Sequence, residues 1–182
     1  MVDESIPSIQ IRTASAADNL LLAEIGAETF HDSFAAENTP EDMAAYLAGA
    51  FGPEIQSGEL ADPASRFLIA EVEGLTVGYA RLKFGPAPTA IVSRKPVEVA
   101  RFYARKAWIG KGVGRRLMQA CLLEAEWADC DVIWLDVWER NLRAIAFYRR
   151  WGFVEVGAQG FKLGADLQQD LLMSRAVNPD SA

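Results

Sequence analysis

The amino-acid sequence predicts an α/β fold within a single domain, and three observations support this. The length of 182 residues suits one hydrophobic core and leaves little room for a second. Segments that alternate polar and apolar residues are interleaved with segments whose apolar residues recur at helical spacing. No internal repeat and no interdomain linker interrupts this order. We therefore expect one domain over residues 1–176, followed by a loose tail over residues 177–182.

The first part of the chain contains signals for one strand and two helices. Residues 8–13 (SIQIRT) alternate polar and apolar side chains, which predicts a strand. Ser15 is a suitable N-cap for a helix through LLLAEIGAETF. Thr39 is placed to cap a second helix, EDMAAYLAGAF, because Pro40 follows at the first helical position. Residues 54–65 are rich in turn formers and predict no regular element.

The middle of the chain predicts a β-hairpin, a loop and a further strand. Residues 67–73 and 75–84 are strand-like runs on either side of Gly74, a pattern typical of a hairpin. Prolines in residues 85–95 indicate a surface loop. Residues 97–104 then predict another strand.

The last part of the chain predicts two helices and three strands. Residues 113–128 form an amphipathic pattern in which apolar side chains recur every four positions. Residues 131–138 predict a strongly apolar strand, and Asn141 is placed to cap the short helix that follows. Two final strands are expected at residues 153–158 and 167–175.

Composition limits the class of protein. Hydrophobic residues make up 51% of the chain and charged residues 24%, as in ordinary globular proteins. The N-terminal stretch MVDESIPSI does not resemble a signal peptide, and no apolar run is long enough for a membrane span. Cys121 and Cys130 form no CxxC pair, so we expect no disulfide framework, no zinc site and a reduced cytoplasmic setting.

The charges are unevenly distributed along the chain. Residues 1–80 contain two basic and fourteen acidic side chains, whereas the remainder contains sixteen basic and eleven acidic ones. The net charge of −7 argues against a nucleic-acid partner. Six basic residues occur without an acidic one between positions 101 and 116: Arg101, Arg105, Lys106, Lys111, Arg115 and Arg116. The pattern predicts either an anionic ligand in this region or a solvated surface of uneven charge.

Residues 108–118 (WIGKGVGRRLM) lie between a predicted strand and a predicted helix. Glycine occupies three alternate positions: Gly110, Gly112 and Gly114. The first turn of a helix has backbone N–H groups without an intrahelical partner, and its dipole favours an anion. Because glycine lets the backbone approach phosphate oxygens closely, the stretch predicts either a phosphate cradle or a flexible structural turn.

Two common phosphate-binding motifs do not match this stretch. A P-loop requires Gly-Lys-Ser/Thr, but here Lys111 is followed by Gly112. A dinucleotide-binding loop requires G-x-G-x-x-G near the first strand, whereas this stretch is G-x-G-x-G and lies late in the chain.

The glycine stretch and the segment after it resemble two successive motifs of the GNAT superfamily of N-acetyltransferases. Residues 109–114 are similar to the signature Arg/Gln-x-x-Gly-x-Gly/Ala, with Ile109 in place of Arg or Gln. Residues 134–153 (WLDVWERNLRAIAFYRRWGF) resemble the next motif, in which a strand and an Asn cap precede a helix that carries Phe-Tyr. ENTPEDMAAYL, DPASRFLIAEVEGLTVGYARL and the strand at 97–103 are similar to the branch that contains spermine/spermidine acetyltransferases.

This resemblance, which extends from about Ile11 to Arg175, implies a fold, a reaction and a cofactor. The fold is a mixed, mostly antiparallel, twisted sheet flanked by helices. The reaction transfers an acetyl group from acetyl-CoA to a primary amine, without a metal. The pyrophosphate is expected on the glycine stretch, and the pantetheine arm along the strand, where a backbone N–H meets the thioester oxygen. The cofactor-binding residues that the resemblance implies are Phe102, Tyr103, Ala104, Gly110, Lys111, Gly112, Val113, Gly114, Arg115 and Asn141.

The resemblance also implies catalytic roles. Tyr148 matches the tyrosine that faces the departing sulfur, and a phenol with a pKa of about 10 is protonated at neutral pH and can donate a proton there. An alkyl amine is almost fully protonated at neutral pH, so a base is also needed. Glu98 is the candidate base, with Glu71 as a second carboxylate, and the sole histidine, His31, is expected to be structural.

The acceptor is predicted from the acidic first half of the chain. Glu28 and Asp32 are candidate substrate-binding residues because the first two helices border the acceptor cleft in this superfamily. Further carboxylates at Glu37, Glu41 and Asp42 would also attract a polyamine or another small cationic amine. Trp138 is the third candidate, as a side chain that lines the cleft or fills the core.

Other functions stay open at this point. A non-catalytic acyl-CoA-binding sensor would keep the glycine stretch, although it would not need an acid such as Tyr148 near the sulfur. A nucleotide-dependent enzyme and an acetyltransferase that acts on a protein amine are further alternatives. An open sheet edge also makes a homodimer a possible assembly.

Overall fold

The computed structural model describes residues 8–163 and 166–178. Within these residues seven strands form one sheet in the order β1–β2–β3–β4–β5–β7–β6. The strands are β1 (Gln10–Thr13), β2 (Ser65–Val72), β3 (Leu75–Phe84), β4 (Pro96–Ala104), β5 (Val132–Trp138), β6 (Val154–Leu163) and β7 (Asp166–Ala176). All neighbouring strands are antiparallel except β4 and β5, which are parallel. The α/β fold and the mostly antiparallel sheet expected from the sequence are confirmed.

Helices cover both faces of the sheet. They are α1 (Asn19–Phe34), α2 (Pro40–Ala50), α3 (Pro53–Ala61), α4 (Val113–Trp127) and α5 (Leu142–Arg150). On one face, α4 buries Leu117, Met118 and Cys121 completely against the strands. Burial of a side chain such as Leu117 contributes roughly 2 kcal/mol to folding. On the other face, α1 packs Leu22 and Ile25 against β2 and β3.

The parallel pair β4–β5 is short, and this shapes the molecule. Three positions pair, with Glu98 opposite Trp134 as the last of them. Beyond that pair β4 and β5 no longer share ladder contacts, whereas β4 stays paired to β3 as far as Ala104. A register shift in the β3–β4 ladder between Arg81 and Leu82 bends the sheet at the same level. The two strands therefore splay apart and leave an opening in the sheet.

Several local predictions are confirmed. The hairpin turn contains Glu73 and Gly74, both at positive φ (50° and 80°), a turn whose twist matches that of the paired strands. The Thr39 side chain accepts a hydrogen bond from the Asp42 N–H, as expected of an N-cap. Asn141 caps α5 by accepting from the Ala144 N–H at 3.2 Å.

The structure differs from the expectation in three places. Most of residues 54–65 lies in α3, which begins at Pro53 and ends at Ala61. This helix was not predicted because its polar composition gives almost no apolar stripe. Helix α1 begins at Asn19, after a 3-10 turn that Ser15 caps. Strands β6 and β7 are longer than predicted, because their outer halves are polar and glycine-containing but still pair along their whole length.

Two other expectations concern features outside regular structure or outside the described residues. No helix within the part of the chain that the structure describes is long and apolar enough to cross a membrane. Of the predicted loose tail, residues 179–182 lie outside the described residues.

Candidate functional site

The opening between β4 and β5 continues into a cleft of about 550 Å³. Its lining includes the second half of β4, the glycine stretch, the end of β5 and one face of α5. On the opposite side it reaches α1 and α2 through Phe34 and Tyr46, and β6 and β7 through Phe161 and Asp170. The cleft therefore extends from the glycine stretch to the side chains of α2, β6 and β7.

The glycine stretch forms the start of α4 at one end of the cleft. Gly112 is the N-cap residue and has a φ of +91°, a left-handed conformation that side chains with a Cβ rarely adopt. The Arg116 N–H is the first to bond back along the helix, to the Gly112 carbonyl. The N–H groups of Val113, Gly114 and Arg115 therefore have no partner within the helix and are available to an anion.

Gly114 keeps this end of the cleft open. A Cβ at Gly114 would lie 3.4 Å from the ring of Phe147 on α5, and Phe102 on β4 is also close at 3.8 Å. A side chain here would fill the space between α4, α5 and β4. Free amides, a helix N-terminus and an open approach together fit a diphosphate group.

The cationic residues of the 101–116 segment have different roles. Arg101 binds Glu59 at 2.6 Å and Arg105 binds Glu28 at 2.5 Å, so both side chains are engaged within the protein. Arg115 lines the cleft next to the free amides. Lys111 does not line it and lies 5.3 Å from the ring of Trp108.

Two cleft residues near the glycine stretch were not predicted from the sequence. Arg143 and Arg150 on α5 line the cleft, where they add positive charge to that of Arg115. Their seven-residue spacing places them on the same face of a helix, which is a signal that the sequence does contain.

The second half of β4 gives the cleft a free strand edge. Phe102, Tyr103 and Ala104 line the cleft, and their other edge pairs with β3 at Ala80, Tyr79 and Gly78. Because β5 has already diverged, the edge of β4 that faces the cleft has no neighbouring strand among the residues that the structure describes. An extended ligand can pair with such an edge as an added strand does.

Tyr148 lies deep in the cleft. Its side chain is 7% exposed, and its ring contacts Phe102, Phe147 and Phe153 at centroid distances of 5.5–6.0 Å. Burial raises the pKa of Tyr148 well above its usual value, so the phenol is protonated throughout the neutral range. Because Tyr148 lines the cleft, a bound ligand can approach this phenol.

Glu98 lines the cleft at the point where the strands diverge. The pKa of Glu98 is raised mainly by burial and further by the negative charge of Asp136. The positive charges of Lys83 and Arg81 lower it. The alternative carboxylate, Glu71, does not line the cleft and binds Arg12 at 2.9 Å.

The residues expected to bind substrate are only partly brought to the cleft. Trp138 lines it and lies 5.9 Å from the ring of Phe34. Glu28 does not line it, because its carboxylate is held by Arg105. Asp32 is exposed on α1 and His31 beside it is exposed as well, and neither lines the cleft. Val113, expected to contact the cofactor, has its side chain buried in the core.

Two further carboxylates, which were not predicted from the sequence as site residues, line the cleft. Asp136 on β5 accepts a hydrogen bond from Gln159 at 2.9 Å, and burial raises its pKa. Asp170 on β7 is 7% exposed, and burial together with the charge of Asp136 raises its pKa to about 7. Asp136 is the single charged residue of the apolar strand β5, which is a signal that the sequence does contain.

The cleft therefore combines a helix start suited to an anion, a free strand edge and a buried phenol. A model of the acetyltransferase (GNAT) family matches residues 27–153, which is more than half of the chain and includes all of these features. The chain belongs to the GNAT family of acetyltransferases. As a GNAT acetyltransferase it takes its acetyl group from acetyl-CoA, and the helix start and free edge described above fit that cofactor.

Individual relatives agree with this assignment. An N-acetyltransferase of undetermined substrate from the pepI 3′ region of Lactobacillus delbrueckii subsp. lactis is 36% identical over 84% of this chain and 88% of its own length. The spermine/spermidine N(1)-acetyltransferase of Bacillus subtilis is 33% identical over 44% of this chain and 54% of its own length. In fold, this GNAT acetyltransferase is similar to the PaiA N-acetyltransferase of Thermoplasma acidophilum, crystallised with coenzyme A. The TM-score is 0.75 at 20% identity, over 93% of this chain and 99% of the other.

Proposed function

We propose that this acetyltransferase acylates a primary amine by direct attack on the thioester, with Tyr148 as the acid that protonates the departing sulfur. The observation that carries the proposal is the position of this buried phenol on α5, next to Phe102 of the free edge of β4 and in the same cleft as the start of α4. Acetyl-CoA supplies an acetyl group activated as a thioester. A protonated phenol next to the sulfur lowers the barrier to its departure, because the thiolate is neutralised as it forms.

The chain's own groups would hold the cofactor at three places. The amides at the start of α4, with Arg115, bind the diphosphate. The free edge of β4 at residues 102–104 pairs with the extended arm, and one N–H there donates to the thioester oxygen. Asn141 caps α5 and also lines the cleft, so its amide can contact the cofactor while it fixes the helix that carries Tyr148.

Glu98 is proposed as the group that accepts the proton of the amine. It lies at the divergence of β4 and β5, next to the free edge. Its raised pKa brings it closer to that of the amine than an exposed carboxylate would be, and this favours proton transfer at neutral pH. A water molecule between the amine and Glu98 is compatible with the same role.

The acceptor is proposed to be a small cationic amine, with polyamines as the leading class. Carboxylates line the acceptor end of the cleft, and aromatic side chains surround them. The partial similarity to an acetyltransferase named for spermine and spermidine supports the same class. The recognition is expected from the cleft itself and not from Glu28 or Asp32 on α1.

The test is release of the free thiol from acetyl-CoA across a panel of primary amines, with wild type and Tyr148→Phe compared. We expect the variant to lower kcat by roughly a hundred-fold or more, because general acid catalysis typically contributes that much. Affinity for the cofactor, measured by calorimetry, should change little. Tyr79→Phe is the matched control, since Tyr79 is also a buried tyrosine but does not line the cleft.

Two results would contradict this proposal. If Tyr148→Phe turned over normally but bound the cofactor poorly, Tyr148 would be a packing residue. If wild type bound the cofactor tightly but released no thiol with any amine, the chain would be an acyl-CoA sensor.

A further inference from the structure

The carboxylates of the cleft form a row on one face of the sheet. Glu98 lies opposite Trp134 of β5, and Asp170 lies opposite Trp138. Asp136 is midway between these two tryptophans, and alternate residues of a strand point to the same face. Glu98 and Asp170 are therefore separated by four residues of β5, about 13 Å along the strand. One ammonium group cannot contact both of these carboxylates.

Asp170 contributes a buried carboxylate oxygen without a hydrogen bond to this row. It is 7% exposed, and its Oδ1 atom is buried with no hydrogen-bond partner in the part of the chain that the structure describes. A buried carboxylate without a hydrogen bond or a cation is strongly disfavoured in its charged form. The charged groups that face it are Asp136 and Glu139, both acidic, and the nearby ionisable side chain on α2 is Tyr46. The charges of Asp136 and Glu139 therefore disfavour the carboxylate form of Asp170, and within the described residues Asp170 is in no ion pair, although Arg101 also lines the cleft.

The walls around Asp170 are aromatic. Tyr46 and Phe161 lie 5.6 Å apart, and Trp138, which pairs with Asp170 in the sheet, lies 5.9 Å from Phe34. Aromatic faces attract organic cations, and a carboxylate beside them provides a hydrogen-bond acceptor. Ring walls with a single orphan oxygen suit an alkylammonium group better than a metal ion, which needs several oxygen ligands.

We propose that Asp170 binds a second cationic group of the acceptor, at the opposite end of the row from the reacting amine, and so selects acceptors that carry two positive charges. This inference rests on the proposed amine acetylation, with Glu98 at the reacting end. Asp170 is a specificity-determining residue and takes no part in the chemical step. It also lies beyond the residues that the family model matches, so membership of the family does not supply this role.

Binding of the second cation should release a proton. The pKa of Asp170 is raised to about 7, so slightly below that pH Asp170 is neutral in a large fraction of the free enzyme molecules. An adjacent positive charge favours the carboxylate form, and the proton then leaves to solvent. The charges balance, because one bound cation replaces one bound proton.

The first experiment compares diamines with monoamines of the same length in the thiol-release assay. The probes are 1,4-diaminobutane, 1,7-diaminoheptane and 1,10-diaminodecane, each paired with its monoamine. We expect wild type to prefer at least one diamine, and Asp170→Asn to lower kcat/KM for that diamine by about ten-fold or more. The same variant should lower kcat/KM for the diamine far more than for the matched monoamine, so that the diamine-to-monoamine ratio falls. Asp166→Asn, an exposed carboxylate of the same strand, is the matched control and should retain the preference.

The second experiment measures binding without turnover. Calorimetry of the three diamines at pH 6.5, in two buffers of different ionisation enthalpy, reports the protons released. Wild type should release a measurable fraction of one proton per bound diamine, because the raised pKa of Asp170 leaves part of this group protonated in the free enzyme. Asp170→Asn should release much less, and its melting temperature will show whether it is folded.

The outcomes separate this inference from the proposed function. If no amine gives thiol release but diamines bind with an Asp170-dependent proton release, amine acetylation fails and the cation site stands. If Asp170→Asn slows monoamines and diamines equally, or if wild type shows neither a diamine preference nor proton release, the assignment of Asp170 is overturned.

Discussion

Glu98 is a side chain whose ionisation is set by burial and by charged residues from the two neighbouring strands. Burial and Asp136 on β5 raise its pKa, whereas Lys83 and Arg81 on β3 lower it. Lys83 lies opposite Glu98 in the β3–β4 ladder, so the two side chains occupy the same face. The pH at which Glu98 becomes a base therefore depends on a neighbour outside the cleft lining.

The pH dependence of turnover is expected to follow Glu98. A base must be deprotonated, so kcat/KM should rise with pH through the raised pKa of Glu98. Lys83→Met removes a positive charge that favours the carboxylate, and this rising limb should move to higher pH. Glu98→Gln should abolish the limb and lower the rate. A limb that stays in place in Lys83→Met would indicate that another group is the base.

Asp18 should stabilise the fold in a pH-dependent way. It accepts two hydrogen bonds from Arg12 and one from the Ser15 N–H, which lower its pKa to about 2. Because the folded-state pKa lies below the unfolded one, this stability is present above about pH 4 and is lost as the pH falls toward 2. Asp18→Asn should lower the free energy of unfolding at pH 7 by about 1–2 kcal/mol, allowing for the partly exposed Arg12. Urea titrations at pH 7 and at low pH, where Asp18 is protonated, measure the difference in the free energy of unfolding between wild type and Asp18→Asn. The exposed Asp32→Asn is the control.

At the scale of elements, the junction of β4, the glycine stretch and α4 combines two requirements. The chain must turn sharply enough for α4 to cross the sheet, and the first amides of α4 must stay accessible. Gly112 meets the first requirement through its positive φ, and Gly114 meets the second by carrying no side chain beside Phe147. Substitutions at these two positions should therefore have different effects.

Gly112→Ala should affect stability, and Gly114→Val should affect cofactor affinity more. An alanine in the left-handed region costs about 1–2 kcal/mol, so Gly112→Ala should lower the free energy of unfolding by that amount. A valine at position 114 places its branches against Phe147 and into the approach to the free amides. Thermal melts and calorimetry with coenzyme A measure the two effects. Equal affinity of Gly114→Val and wild type would argue against a ligand at the start of α4.

At the scale of the whole molecule, what the sequence could predict depends on how local the signal is. The N-caps at Thr39 and Asn141 were predicted because a cap and its amide partner lie within three residues of each other. The helix start at Gly112 followed from the same local chemistry. Asp170 was missed because its place in the cleft depends on β7 pairing with β5, in a sheet order that no nearby residue encodes. Glu28 was predicted to bind substrate, but its carboxylate accepts a hydrogen bond from Arg105, which is 77 positions away in the sequence. No local signal indicates a contact at that separation.

The short parallel ladder joins two antiparallel parts of the sheet, which we call leaves. One leaf contains β1 to β4 and the other contains β5 to β7, and three ladder positions from Pro96 to Glu98 join them. A ligand bound between the two leaves would contact both and would stabilise their relative position. In hydrogen–deuterium exchange, coenzyme A should slow the amides of residues 99–104 and 113–115 far more than those of the β2–β3 hairpin, which belongs to one leaf alone. Uniform slowing across both leaves would mean that the sheet flexes as one body.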